Sequence, residues 1–376
     1  MNHRIVSLIA LTLFLSPVAF SVNTVSWPSL PDVNGSATLP AQEWEFQEGP
    51  RTIKVYIYYP GKSITNINAD TGLMLSLHNW GGTNAIGTAD PQILADTYNV
   101  IGICVDYLQS GKYDSKTSPP YDFGYLQSLD ALLALYWTHS QLKSNNTSFN
   151  SGRIFCTGGS GGGNVTQMAN KLAPRTFAAI IDMCGMAKLN NDIAFGLEGG
   201  SYLNAGYSKD SKAPNYLSPD AQEIRDLSNP VHLKQMKEWG CTTTIYIVHG
   251  STDTICPIDE KRSVIRNMKA TGFSVYPLIL EDKHLDGKIY ASTGHSLGNR
   301  TLIVQDVADA ALNPSSNSRA IRRGPSDFER KETLSFKTSN GFWDIDYSNG
   351  YPIGKFRPIG LSQLSPSQTK VLILTD

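Results

Sequence analysis

Concentrated positive charge is missing from this 376-residue chain. Its 32 Lys and Arg are scattered and balanced by 33 Asp and Glu, for a net charge of −1. Nucleic acids and anionic surfaces recruit partners through basic blocks, so neither is expected here. Cysteine is scarce as well, at five residues, and none stands in a C-x-x-C or similar ligand spacing. Cys104, Cys156 and Cys184 fall inside apolar strand-like runs, where a thiol behaves as a small hydrophobe. Cys241 and Cys256 bracket a strand that separates them by roughly 20 Å, beyond disulfide reach. Mostly free thiols are expected. Repeats and low-complexity tracts are absent, and beyond residues 5–20 no run is long and apolar enough to span a bilayer.

That one apolar run follows a short basic start, Asn2-His3-Arg4, and contains Pro17. Ala19 and Ser21 occupy the −3 and −1 positions of a cut before Val22, the pattern of a secretory signal peptide at 1–21. The expectation is an exported protein, periplasmic or secreted, with no stable membrane insertion once the signal is removed. An apolar fraction of 40% suits a soluble domain with a large core. The length suggests one catalytic domain with additions.

Apolar periodicity alternates between strand and helix along most of the chain. Strands are expected at 43–47, 52–59, 73–77, 100–107, 153–157, 177–184, 243–249 and 274–280. Helices are expected near 90–98, at 121–142, 164–172 and 258–271, and near 296–312. The second of these carries Leu126, Leu129, Leu133 and Tyr136 on one face. Such alternation implies an α/β fold with a mainly parallel central sheet, helices on both faces and an antiparallel pair leading. Residues 187–237 interrupt the rhythm with a polar segment containing Tyr202, Tyr207 and Tyr216, placed where a cap or lid would lie. Residues 313–376 form a C-terminal extension with β-like runs at 334–338, 341–347 and 371–374. The expected layout is a catalytic domain over 22–312, with that extension packed on it.

Chemistry is concentrated in Gly158-Gly159-Ser160-Gly161-Gly162, which joins an apolar strand to a helix. In that context G-x-S-x-G is a nucleophile elbow: a strained turn presents the serine, and small neighbours let strand and helix close around it. A serine hydroxyl needs a histidine to take its proton and a carboxylate to hold that histidine's tautomer. Asp253, in the loop after the strand ending at His249, is the expected acid. Asp182 is the weaker candidate because it points into the sheet, and Asp259 suits a helix start. His295, in Thr293-Gly294-His295-Ser296 before the closing helix, is favoured as base over His284, which sits in the charged run Glu281-Asp282-Lys283. His78 and His249 suit supporting hydrogen bonds at strand ends. For the oxyanion, the N–H of Gly161 is one expected donor, and Trp80 or Gly81 in His78-Asn79-Trp80-Gly81-Gly82 supplies the other.

Strand order, the elbow, the order Ser160, Asp253, His295 and the Trp80-Gly81-Gly82 loop together resemble the α/β-hydrolase superfamily over roughly residues 52–312. Tyr121-Asp122-Phe123-Gly124, residues 126–132, and Asp286-Gly287-Lys288-Ile289-Tyr290 are similar to a poorly characterised bacterial group within it. The resemblance implies an α/β-hydrolase fold and a serine hydrolase, most readily a carboxylic-ester hydrolase, with no metal or organic cofactor. A small or polymeric polar substrate is expected, an acylated carbohydrate or a peptide. Two alternatives remain open: a peptidase of prolyl-oligopeptidase-like type, and a non-catalytic binding protein on the same scaffold. Oligomeric state is not legible.

Overall fold

The computed structural model describes residues 27–111, 113–198, 201 and 203–360. The expected signal peptide, Tyr202 and the β-like run at 371–374 lie outside the described residues. The strands are β1 (Gly35–Ala41), β2 (Arg51–Tyr58), β3 (Gly72–Leu77), β4 (Val100–Asp106), β5 (Ile154–Gly159), β6 (Ala179–Met183), β7 (Thr244–Gly250), β8 (Ser274–Leu280), β9 (Thr333–Lys337), β10 (Gly341–Asp346) and β11 (Ile353–Pro358). The helices are α1 (Pro91–Tyr98), α2 (Tyr125–Ser144), α3 (Gly161–Leu172), α4 (Asn191–Phe195), α5 (Pro219–Ile224), α6 (Pro230–Glu238), α7 (Ile258–Ala270), α8 (Arg300–Leu312) and α9 (Asp327–Arg330).

Eight strands form one sheet in the order β1-β2-β4-β3-β5-β6-β7-β8. β2 runs antiparallel to both β1 and β4, and every pair from β4 to β8 is parallel. β3, buried at every position, sits inside the sheet as a continuous apolar run should. One face carries α1 and α8, with Leu94, Tyr98, Ile303 and Val304 packed on Met74, Phe155 and Ile181. The other carries α2, α3 and α7, with Leu132, Val165 and Val264 packed on Leu75, Ile180 and Ile245. Because β3 to β8 are parallel, their C-terminal ends share one edge, and the loops leaving them meet there.

Two local expectations need correction. The first strand is Gly35–Ala41, not residues 43–47; in the latter only Trp44 and Gln47 form an isolated bridge. Leu39, wholly buried, anchors the true strand, and its exposed alternate positions gave it a loop-like composition. The second helix starts at Tyr125 because Phe123 and Gly124 take φ of 57° and 88°, left-handed values that a helix cannot continue through. Nor is it amphipathic. Leu126 to Leu135 are all buried: α3 and the central sheet cover much of the helix, and a second sheet, β11-β10-β9, covers its remaining face, with Trp343 against Tyr125 at 4.7 Å between ring centroids. The segment before β9 is tied to the body through Asp327, whose carboxylate accepts from Arg175 Nε at 2.7 Å.

Candidate active site

Ser160 stands between β5 and α3 with φ 56° and ψ −119°, a conformation costly for a residue with a side chain. The turn holds because its N–H donates to the Met183 carbonyl at 2.9 Å and its carbonyl accepts from Asn164 N at 3.1 Å. The flanking glycines are steric necessities. A Cβ on Gly158 would lie 2.3 Å from the Gly162 carbonyl oxygen, and one on Gly162 would lie 2.1 Å from that of Leu77. Backbone stands on both sides, so neither contact relaxes cheaply. Gly162→Ala is therefore expected to destabilise the fold by about 1–3 kcal/mol and to displace the serine; a chemical-denaturation midpoint equal to wild type would contradict this packing.

The loop after β7 and the loop before α8 bring the other two groups to Ser160. Ser160 Oγ donates to His295 Nε2 at 2.8 Å, and His295 Nδ1 donates to Asp253 Oδ2 at 2.8 Å. The second Asp253 oxygen accepts from the N–H groups of Ile255 and Cys256 at 2.9 and 3.0 Å, which fixes the carboxylate plane. Burial opposes a charge on His295, but the Asp253 carboxylate, followed by the Cys184 and Cys256 sulfurs, outweighs it, so the imidazole pKa is raised above its ordinary value. Burial likewise works against the Asp253 charge, and the His295 bond overrides it, holding the carboxyl below its usual range.

The remaining candidates fall elsewhere. His284 is in a short turn where its ring accepts from Glu281 N at 2.9 Å. Asp182 is buried and paired with Lys261 Nζ at 2.5 Å. Asp259 lies in the first turn of α7. His249 Nε2 donates to the Cys256 carbonyl at 2.8 Å, and burial lowers its pKa to about 4, leaving a neutral brace behind Asp253. His78, also lowered to about 4 by burial, donates through Nδ1 to Asn79 O and stacks on Tyr107 at 4.0 Å, stiffening the loop after β3.

That loop lies directly on the elbow. A Cβ built on Gly161 would stand 2.7 Å from Trp80 N, so Trp80, rather than Gly81, is the loop residue meeting Gly161. Among the described residues, neither the Trp80 nor the Gly161 N–H has a hydrogen-bond acceptor. Two free donors at the N-terminus of α3 make a place for negative charge. The Trp80 ring stacks on buried Tyr121 with centroids 3.6 Å apart, and Tyr113 meets both edge-on. Tyr207 of the polar insertion is only 8% exposed and packs edge-on to Phe46, so its ring is a packing element.

Two neighbours of His295 were not singled out from sequence in this role. All five cysteines are free and buried. The Cys184 sulfur, the Asp253 carboxylate and the His295 ring gather within 4.8 Å, donors that in another setting could hold a metal ion. Here the carboxylate and imidazole are hydrogen-bonded to each other, and Arg300 donates to the sulfur at 3.1 Å. Burial raises the Cys184 thiol pKa, but the Arg300 charge and His295 together bring it below its ordinary value. Only tertiary placement links these residues, and no spacing in the sequence signals it.

Solved structures with this architecture include uncomplexed acylaminoacyl peptidase from Pyrococcus horikoshii, 15% identical, with a TM-score of 0.51 over 76% of this chain and 43% of that one. An acylaminoacyl peptidase in complex with Z-Gly-Gly-Phe-chloromethyl ketone aligns at 15% identity and a TM-score of 0.50, over 78% and 43%. An arylesterase aligns at 15% identity and 0.44, over 76% and 86%. The chain spans about two fifths of the length of these peptidases. No curated protein matches the sequence. Residues 104–313, more than half of the chain, match the family described as "Protein of unknown function (DUF2920)". The chain thus has the α/β-hydrolase fold and belongs to the DUF2920 family.

Proposed function

We propose that the protein is a serine hydrolase that cleaves an ester through an acyl-enzyme on Ser160. One observation carries this reading: the unbroken relay from Ser160 Oγ through the His295 ring to Asp253, with both bonds at 2.8 Å. His295 Nε2 takes the Oγ proton as Oγ attacks the acyl carbon. The tetrahedral oxyanion is held by the N–H groups of Gly161 and Trp80. The imidazolium then gives its proton to the leaving alcohol oxygen as that bond breaks. Water, deprotonated by the same nitrogen, attacks the ester on Ser160 and returns the free serine and a carboxylic acid. Asp253 keeps Nδ1 protonated and stabilises the imidazolium.

A polar substrate, such as an acylated carbohydrate, is supported by the insertion. It follows β6 at the sheet edge that carries Ser160, and it is rich in Asn, Ser and Gly. Action outside the cytoplasm rests on the apolar segment at 5–20 alone. The test is a substrate panel of acetylated monosaccharides, short acyl esters and peptide amides, each run beside Ser160→Ala. Acetate release from the sugars that disappears in the variant supports the proposal. Cleavage of amides alone would replace it with a peptidase, and no Ser160-dependent turnover would favour a binding role.

A further inference from the structure

We infer that Arg300 is a positioning residue for His295, bracing the loop that carries it against the end of β6 and the nucleophile turn. This rests on the proposed role of His295 as base. Arg300 is the first residue of α8, directly after the loop. One arm of its guanidinium donates to the His295 carbonyl at 3.2 Å. The other donates to Cys184 Sγ at 3.1 Å and reaches the Met183 carbonyl at 3.5 Å. Met183 is the same residue whose carbonyl receives the Ser160 N–H. One planar side chain therefore connects the backbone of the base to the strand end that fixes the nucleophile.

Two further observations set Arg300 apart from an incidental contact. First, a Cβ on Gly159 would come within 3.3 Å of the guanidinium carbon and 2.3 Å of the Gly87 carbonyl oxygen. The residue just before Ser160 is thus bare where the guanidinium packs. Second, the first turn of a helix is an unfavourable place for a cation, and α8 has no acidic residue there to offset it. The charge is accommodated by its acceptors across the site instead.

The loop needs such a tie on this side. On the Asp253 side it is held by Thr252 N to Thr293 O at 2.9 Å and by the paired Thr252 and Thr293 hydroxyls at 3.0 Å. On the nucleophile side, among the described residues, Arg300 supplies the bonds that do not pass through the reacting atoms. A rigid planar fork suits this role, since its donors point at two acceptors at once without separate ordering costs. Small displacements at a reacting pair have large kinetic effects, which gives the brace its consequence.

The experiment compares wild type, Arg300→Met and Arg300→Lys by the second-order rate of fluorophosphonate adduct formation at Ser160, read by intact mass. The same proteins are followed by steady-state turnover of a short acyl ester, with and without millimolar guanidinium, and by thermal unfolding. Arg300→Met is expected to react about 10–100-fold more slowly, with kcat reduced and KM within about threefold of wild type. Lysine, which keeps charge and donors, should recover part of the rate, and guanidinium should stimulate the methionine variant but not wild type. A folded Arg300→Met that reacts as fast as wild type overturns the inference. So does a rate loss in both variants that only tracks their melting temperatures. An unreactive wild type would overturn the hydrolase reading beneath it, a result distinct from either of these.

Discussion

Ser160→Ala is expected to lower ester turnover by about 10⁵-fold or more, and His295→Ala to do about the same. The reason is geometric. His295 Nε2 is hydrogen-bonded to Ser160 Oγ, so in the proposed mechanism the imidazole first acts through that oxygen, and its later proton transfers need the acyl-enzyme formed there. Without the hydroxyl there is no acyl acceptor; without the ring, a neutral hydroxyl attacks poorly. The double variant should therefore be no slower than either single one, since the two groups work as a unit. Free donors at Gly161 and Trp80 remain in all three proteins and would sustain the residual rate. Steady-state kinetics on one activated ester, with folding checked by circular dichroism, reads the result. Additive losses in the double variant would mean that the residues act independently and that the relay is not the catalytic unit.

Asp253→Asn is expected to cost about 10⁴-fold in kcat. Asparagine fits the same space, but it can present an N–H to Nδ1 and so favour the imidazole tautomer that carries its proton on Nε2. That tautomer cannot accept from Ser160. The pH profile gives a second signature. A base works only when neutral, so activity falls as pH drops through the His295 pKa. In the wild type the Asp253 carboxylate raises that pKa against the effect of burial. The acidic limb should therefore lie above the value for an unperturbed imidazole. Asparagine removes the largest influence opposing burial and leaves only the neighbouring Cys184 and Cys256 sulfurs, so the limb should move to lower pH as the plateau falls. Unchanged limb position would show that Asp253 does not set the charge state of the base.

The three relay residues were legible because each is set by local chain geometry. A strand entering Gly158–Gly162 and leaving as a helix has few ways to turn, and the glycines reveal where backbones touch. Asp253 and His295 sit in loops after the strands that follow, which parallel order brings to one edge. Contacts between distant segments were not legible. Arg300 reads as a routine helix residue until Cys184 and the His295 carbonyl are placed beside it. The choice of Trp80 over Gly81 depends on which backbone atom meets Gly161, a matter of loop packing. The buried outer face of α2 was hidden for the same reason, since it depends on a sheet formed some two hundred residues later.

The most direct test is intact mass after fluorophosphonate treatment of the purified protein beside Ser160→Ala and His295→Ala. The reagent needs an activated serine and no knowledge of the natural substrate. One covalent adduct is expected on wild type, mapped to Ser160, and none on either variant within the same time. An adduct that persists in Ser160→Ala, or the absence of any adduct on folded wild type, would contradict the relay as the catalytic unit.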